Sequence, residues 1–170
     1  MRKVFAIGLV LCTFVICLVF SRTSIRNRFD YESNSRIFDS ISDLDFLNEF
    51  ALDESIKDKY ISDIEFDDSR TVLADYNGNK IRIYAYDFSS VENCLEYAEN
   101  VSGNNYLYSY NGEDIAWYYY EFSLFLLNER LLVFYNDKAY VLSARLSEQE
   151  FNEFVVYFMS KMPTAVQITY

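Results

Sequence analysis

The chain of 170 residues contains no histidine. Histidine is the side chain most often used as a general base or a metal ligand near neutral pH. Its absence excludes catalysis of the Ser-His and Cys-His types within this chain. A phosphate-binding loop and a dinucleotide-binding fingerprint are also missing. We therefore predict no catalytic residue, no metal ligand, and no residue that binds a cofactor.

Cysteine is scarce, and its positions allow no disulfide within the body of the chain. Two of the three cysteines, Cys12 and Cys17, lie in an apolar run near the N-terminus, and only Cys94 lies beyond it. Cys94 falls on the apolar face of a predicted helix. It is therefore interpreted as a small buried hydrophobic residue and not as a reactive thiol.

Acidic residues are missing from the first 29 positions and abundant afterwards. The formal net charge is −11, yet the chain beyond those positions holds all 26 acidic residues and only ten of the 15 basic ones. A surface this acidic repels phosphate backbones and anionic lipid headgroups. The charge balance therefore predicts that nucleic acid is not a partner and that the body stands off the membrane surface.

One long run without charge is present, from residue 4 to residue 20. As a helix it would extend roughly 25 Å, near the lower limit for crossing a bilayer. Basic residues that flank the run can reach the lipid headgroups and so compensate for its short length. The sequence therefore predicts a transmembrane signal anchor over residues 4–21, with the lipid bilayer as its partner. Residues 1–3 form a short basic N-terminus before it. Signal cleavage after Ser21 and burial as a soluble helix are the alternatives.

The orientation of this anchor depends on a nearly even charge balance. Arg2 and Lys3 flank one end, and Arg22, Arg26 and Arg28 flank the other. A single N-terminal anchor followed by one large domain usually leaves that domain outside the cytoplasm. We therefore expect a single-pass protein of the cell membrane with an extracytoplasmic domain, although exported domains often carry a disulfide and this body has none.

The remainder divides into a tether and one domain. Residues 22–36 are polar with only isolated apolar positions, which is typical of a tether. Residues 37–170 form the predicted globular domain. At about 130 residues it can bury around two thirds of its unfolded surface, so it needs neither a disulfide nor a metal for stability.

Three amphipathic segments in this domain are predicted to be helices. The first lies within residues 42–60 and carries an apolar stripe. The second follows a capping box of Ser89 and Glu92, and the third follows a capping box of Ser147 and Glu150. Each box satisfies backbone donors at the start of a helix.

Turn signals separate the β-prone runs between these helices. Asn-Gly pairs at 77–78 and 111–112 predict tight hairpins, because both residues tolerate a positive φ. Further turns are predicted at 128–130 and at Asn136-Asp137. Strands joined by such turns pair antiparallel. The predicted fold is therefore α+β, with one antiparallel sheet of about five or six strands and two or three amphipathic helices packed on one face, preceded by the transmembrane helix.

The segment "WYYYEF", residues 117–122, is the densest aromatic stretch in the chain. Alternate residues of a strand share a face, and the even-numbered residues from 116 to 126 form a row that is entirely apolar or aromatic and suits a helix-covered face. The odd-numbered row includes polar residues and is predicted to be partly exposed to solvent. The candidate binding surface on that face consists of Trp117, Tyr119, Tyr84 and Tyr86.

The layout of the chain consists of a basic start, a single anchor, a polar tether and an α+β domain, and a final strand–turn–strand unit precedes "LSEQEF" at 146–151. In this layout the chain resembles small signal-anchored bacterial proteins of unknown function. The resemblance implies an extracytoplasmic, non-enzymatic role. The leading hypothesis is a membrane-anchored accessory or binding module for a protein or an envelope component. The alternatives are a carboxylate-dependent hydrolase acting on an envelope component, and an immunity-like or membrane-assembly partner protein.

Overall fold

The structure, a computed structural model, describes residues 35–102, 109–110, 115–123 and 128–166. These residues all belong to one compact unit of the chain, Tyr31–Tyr170. None of the helices in this part is long and apolar enough to cross a membrane. The predicted anchor at residues 4–21 lies outside the described residues, so it stays a prediction.

The described part of the chain contains nine strands and three helices. The strands are β1 (Arg36–Ile37), β2 (Ala51–Asp53), β3 (Phe66–Tyr76), β4 (Asn79–Phe88), β5 (Ser109–Tyr110), β6 (Ile115–Ser123), β7 (Asn128–Tyr135), β8 (Lys138–Ala144) and β9 (Thr164–Ala165). The helices are a 3₁₀ helix (Ile41–Glu49), α1 (Val91–Ser102) and α2 (Glu148–Ser160).

The main sheet is antiparallel throughout. Its strand order is β2-β3-β4-β8-β7-β6-β5, so five long strands form its centre and the short β2 and β5 form its edges. Strands β1 and β9 pair separately as a two-stranded antiparallel ladder. The predicted α+β class and the antiparallel pairing are confirmed.

Local turn chemistry places two of the hairpins. Asn77 and Gly78 have φ values of 54° and 81° and connect β3 to β4, as the Asn-Gly pair predicts. Asn136, with φ 53°, begins the turn between β7 and β8. The second Asn-Gly pair lies outside the described residues. The turn predicted at 128–130 is wrong, because β7 already begins at Asn128.

The helices cover both faces of the sheet, and the prediction that they pack on one face is wrong. On one face, called the α2 face, the Phe158 ring of α2 lies 5.1 Å from the Tyr140 ring of β8. On the other, called the α1 face, the Tyr97 ring of α1 lies 5.1 Å from the Tyr86 ring of β4. Tyr86 follows Ala85, which pairs with Tyr140, so the two rings point to opposite sides.

Both rows of the central strands are apolar, which explains why both faces are covered. Leu131, Leu132, Val133 and Phe134 of β7 follow one another, and each is 0% exposed. A strand with this pattern buries residues on both sides of the sheet. Helix α1 packs against β7 and β8 on one side, and α2 with the 3₁₀ helix covers the other.

The first predicted helix exists but is a 3₁₀ helix that ends at Glu49, after which the chain enters β2. Its apolar residues recur every three positions, as in Leu44, Leu47 and Phe50, and a 3₁₀ helix has three residues per turn. Leu44 and Leu47 are fully buried. The side chain of Asp43 accepts a hydrogen bond of 3.0 Å from the Ser40 backbone N–H at the helix start.

The capping boxes behave differently at the two α-helices. At α2 the box of Ser147 and Glu150 is confirmed, because each side chain accepts a hydrogen bond from the backbone N–H of the other. At α1 the capping residue is Ser90 instead of Ser89. The Ser90 hydroxyl accepts a hydrogen bond of 3.2 Å from the Asn93 N–H, while Ser89 donates to Asp67.

Strand β1 fastens the start of the described chain to its end. The carbonyl of Ser35 accepts a hydrogen bond from the Val166 N–H, and that of Arg36 accepts one from the Tyr140 hydroxyl at 2.9 Å. Ile37 and Phe38 are buried. The last residues of the predicted tether are therefore part of the folded unit.

Candidate functional site

The chain between β2 and β3, residues 54–65, crosses part of the α1 face and is held there by hydrogen bonds. The Tyr84 hydroxyl of β4 donates to the Lys57 carbonyl at 3.4 Å, and the Tyr97 hydroxyl of α1 donates to Asp58 Oδ2 at 2.6 Å. This segment, called the 54–65 loop, forms one wall above the sheet.

A cleft of about 330 Å³ lies between this loop and strands β4, β7 and β8. Loop residues form its rim and sheet residues form its floor. The residues lining the cleft are Lys57, Asp58, Lys59, Tyr60, Arg82, Tyr84, Arg130, Val141, Ser143 and Arg145.

The cleft is strongly basic in an acidic domain. Its lining holds five basic side chains and one acidic side chain. Only ten basic residues follow position 29 in the sequence, against 26 acidic ones, so half of these basic residues meet in this cleft. None of the other acids that the structure describes lines the cleft.

Strand pairing aligns two arginines of the cleft around a serine. Arg82 of β4 pairs in register with Ser143 of β8, and Ser143 pairs with Arg130 of β7. Neighbouring strands lie about 4.8 Å apart, so the backbones of the two arginines are separated by roughly 10 Å. Arg82 is exposed and Arg130 is half-buried. Arg130 also pairs in register with Glu121 of β6, which ends the row.

The Tyr60 ring orients two of the cations. The ammonium of Lys59 lies 4.6 Å from the ring centroid, and the guanidinium carbon of Arg130 lies 5.3 Å from it. Both distances fit cation–π contacts. Arg130 also donates a hydrogen bond of 3.5 Å to the Val101 carbonyl at the end of α1. These contacts hold the Arg130 side chain in a defined position at the cleft.

Asp58, the one acid of the lining, anchors the loop to buried tyrosines. It accepts hydrogen bonds from the Tyr97 hydroxyl at 2.6 Å and from the Tyr60 backbone N–H at 3.0 Å. Burial, followed by the charge of Asp58, raises the pKa of Tyr97 well above its ordinary value. The same two causes raise the pKa of Tyr84. These tyrosines are therefore neutral donors at physiological pH.

The structure separates the four residues of the predicted binding surface. Tyr84 lines the cleft and is 9% exposed. Tyr86 is 2% exposed and packs against Tyr97, so it presents no free ring. Trp117 and Tyr119 lie on β6, three strand spacings from β4, or roughly 14 Å. A binding role for Trp117 and Tyr119 stays a prediction.

The basic residues of the cleft were not predicted from the sequence, because they are scattered along the chain. One signal was available, since Arg82 interrupts the β-prone run at 81–86. A charge in such a position must be exposed, paired or functional. The missed residues are Lys57, Lys59, Arg82, Arg130 and Arg145.

Other chemistry near this face is limited. Cys94 is fully buried and free, as predicted. In the part of the chain that the structure describes, no group of three potential metal-ligating side chains lies close together. Comparison of the chain with protein-family models, curated proteins and solved structures finds no match. Among the residues that the structure describes, those of the basic cleft bear most directly on function.

Proposed function

We propose that this domain is a binding module, and that its ligand is anionic and enters the cleft between the 54–65 loop and the sheet. The observation that carries the proposal is the meeting of five basic residues in one cleft of an acidic domain. Like charges repel one another, so an anionic ligand that neutralises them binds with a favourable electrostatic free energy.

Two basic residues outside the cleft form ion pairs with acids. Arg70 pairs with Asp45 and Glu54, and Lys138 pairs with Asp87 and Asp137. The four cleft residues Lys57, Lys59, Arg82 and Arg145 form no ion pair with any acid that the structure describes. The cleft therefore keeps cationic groups available in a domain that has enough acids to pair all of them.

The proposal extends to the location of the module. The uncharged run at residues 4–20 and its basic flanks support a membrane anchor, which would make the protein a tethered accessory or binding module with its domain outside the cytoplasm. Full-length protein is then expected in the membrane fraction and resistant to carbonate extraction. Recovery of intact, unprocessed chain in the soluble fraction would contradict the anchor without affecting the cleft.

The cleft is tested with two anionic probes of different chemistry, tripolyphosphate and pentaglutamate. Binding to the full-length chain in non-ionic detergent is measured by calorimetry at fixed ionic strength. We expect at least one probe to bind, and Arg82→Glu to weaken that binding by about tenfold or more. The matched control is Lys80→Glu, because Lys80 is exposed on the same strand and the same face but lies outside the cleft.

Two results would contradict anion binding at this site. One is the failure of both probes to bind the native chain. The other is an equal loss of affinity in Arg82→Glu and Lys80→Glu, which would mean that the probes respond to net charge alone. Raising the salt concentration should weaken a true cleft interaction less than it weakens binding to the exposed surface.

A further inference from the structure

We infer that the anionic groups recognised by the cleft are phosphates, carried by a compact molecule with more than one negative charge. The inference rests on the proposed function, since it requires that the cleft bind anions. It deepens that proposal by choosing between phosphates and the carboxylates of an acidic peptide, and between a compact ligand and a long polymer.

The hydrogen-bonding character of the lining favours phosphate. Arginine and lysine side chains are donors only, and they make up half of the lining residues. The one carboxylate of the lining is already engaged, because Asp58 accepts hydrogen bonds from the Tyr97 hydroxyl and the Tyr60 backbone N–H, and the Lys57 carbonyl accepts one from Tyr84. A phosphate brings acceptors alone. A peptide brings a backbone N–H at almost every residue, and those donors would be desolvated here without a partner.

The geometry of the floor suits phosphate oxygens. Arg82, Ser143 and Arg130 occupy neighbouring positions on three adjacent strands. Guanidinium groups bind phosphate in a bidentate manner, and the serine hydroxyl between them can donate to a third oxygen. Lys57 and Lys59 supply point charges from the rim. Even without Arg130, the four other cations of the lining outnumber its one acid by three, so a ligand with more than one negative charge matches the lining best.

The surroundings of the cleft limit the size of the ligand. A volume of about 330 Å³ is near the lower end of the usual range for small-molecule sites. Outside the cleft the domain is acidic, with 26 acids after position 29. Each phosphate of a long polymer that leaves the cleft would meet this negative field. A compact molecule avoids the repulsion.

The test compares affinities of the full-length chain in non-ionic detergent for five probes at fixed ionic strength. Tripolyphosphate presents phosphate alone, ATP presents it on a nucleoside, and dihexanoyl phosphatidic acid presents it on a lipid headgroup. Pentaglutamate presents carboxylates on a peptide, and a 20-nucleotide DNA strand presents phosphates on a polymer. We expect at least one of the three compact phosphates to bind about tenfold more tightly than pentaglutamate or DNA.

The results separate this inference from the function on which it rests. Tighter binding of pentaglutamate, lost in Arg82→Glu, would overturn the choice of phosphate and leave anion binding standing. DNA binding as tight as the best compact phosphate would overturn the compact ligand. Failure of all five probes would overturn both proposals. The compact phosphate that binds most tightly shows whether the cleft prefers a free phosphate, a nucleotide or a lipid headgroup. Each of these preferences supports phosphate recognition.

A conservative variant tests the role of the arginine fork. Arg82→Lys keeps the positive charge but loses the planar bidentate donor. We expect it to weaken the best phosphate probe by about fivefold, while Lys80→Arg, the reciprocal change outside the cleft, stays within about twofold. Full affinity in Arg82→Lys would show that the site needs a positive charge but no bidentate contact to phosphate, and this would overturn the inference.

Discussion

The buried hydroxyl of Tyr97 donates a hydrogen bond of 2.6 Å to Asp58 Oδ2, and so ties helix α1 to the loop that borders the basic cleft. Tyr97 is 0% exposed, and Asp58 stands between the two lysines of the rim. A hydrogen bond to an ionised acceptor is among the stronger kinds in proteins. The position of Lys57 and Lys59 is therefore coupled to the packing of α1.

Removing the Tyr97 hydroxyl tests this coupling. Tyr97→Phe should lower the free energy of unfolding by about 1.5–3 kcal/mol, because it leaves Asp58 without its best donor. Urea unfolding, followed through the fluorescence of Trp117, the single tryptophan, measures the loss. Tyr157→Phe serves as the control. Its ring packs on the α2 face, and in the described part of the chain its hydroxyl has no hydrogen-bond partner, so a change of about 0.5 kcal/mol or less is expected. Equal losses in the two variants would contradict the coupling.

The raised pKa of Tyr97 predicts a loss of stability at alkaline pH. Burial, and then the charge of Asp58, raise the pKa of this tyrosine in the folded state above its ordinary value of 10.0. Above about pH 10 the unfolded chain therefore releases the proton while the folded chain retains it, and the free energy of unfolding falls as the pH rises. Below about pH 9 the contribution is complete. Urea midpoints across this range should fall less steeply in Tyr97→Phe, and an unchanged slope would contradict the assignment.

Local signals in the sequence were enough to place several elements. The turn at Asn77-Gly78 depends only on the φ values that these two residues tolerate, and it forms as expected. The capping box at Ser147 depends on residues three positions apart, and it also forms. Such features involve neighbours along the chain, so the sequence alone carries the information.

The distribution of helices over the two faces could not be read in this way. The consecutive buried residues Leu131–Phe134 give an apolar run without a period of two, and such a run does not tell which face each helix covers. The three-residue spacing of Leu44 and Leu47 fits an α-helix and a 3₁₀ helix alike. Tertiary packing decides both questions.

The basic cleft could not be predicted from the net charge of the domain. Its cations run from Lys57 to Arg145 in the sequence and are brought together only by the strand order β4-β8-β7 and the crossing of the loop. An average over the domain gives a strongly acidic surface and predicts repulsion of phosphate. The local cluster of basic residues reverses the expected repulsion of phosphate within the cleft. Long phosphate polymers extend beyond the cleft, so the repulsion still applies to them.

Strand β1 should be essential for the fold, although the sequence assigned its first residue to the tether. A truncated chain that begins at Ser35 keeps the bonds from Ser35 to Val166 and from Arg36 to Tyr140. A chain that begins at Asp39 loses them together with the buried Ile37 and Phe38. We expect the second chain to be less stable by more than about 4 kcal/mol, since deletion of each buried side chain leaves a cavity.

Urea unfolding of the two truncated chains measures this difference. The chain that begins at Ser35 provides the control, because it lacks the same N-terminal residues and keeps the β1–β9 ladder. Similar unfolding midpoints in the two chains would mean that the ladder and the two buried side chains contribute little, in conflict with their burial.

Cys94 is expected to be a structural residue whose thiol is unreactive in the folded protein. It is 0% exposed, and its Sγ lies 3.6 Å from the Lys138 carbonyl. Burial raises the pKa of the thiol well above its ordinary value, so the nucleophilic thiolate is suppressed. In a chain in which Cys12 and Cys17 are replaced by serine, a thiol reagent should label Cys94 slowly in buffer and rapidly in denaturant.

The contribution of Cys94 to stability is tested by Cys94→Ala in the chain in which Cys12 and Cys17 are replaced by serine. The substitution removes one buried sulfur and should lower the free energy of unfolding by about 1 kcal/mol, as expected for a modest truncation in a packed core. Binding of the best anionic probe should stay within about twofold, since Cys94 does not line the cleft. Rapid labelling of the native chain, or loss of binding in a stably folded Cys94→Ala variant, would show that the thiol has a functional role that burial alone does not explain.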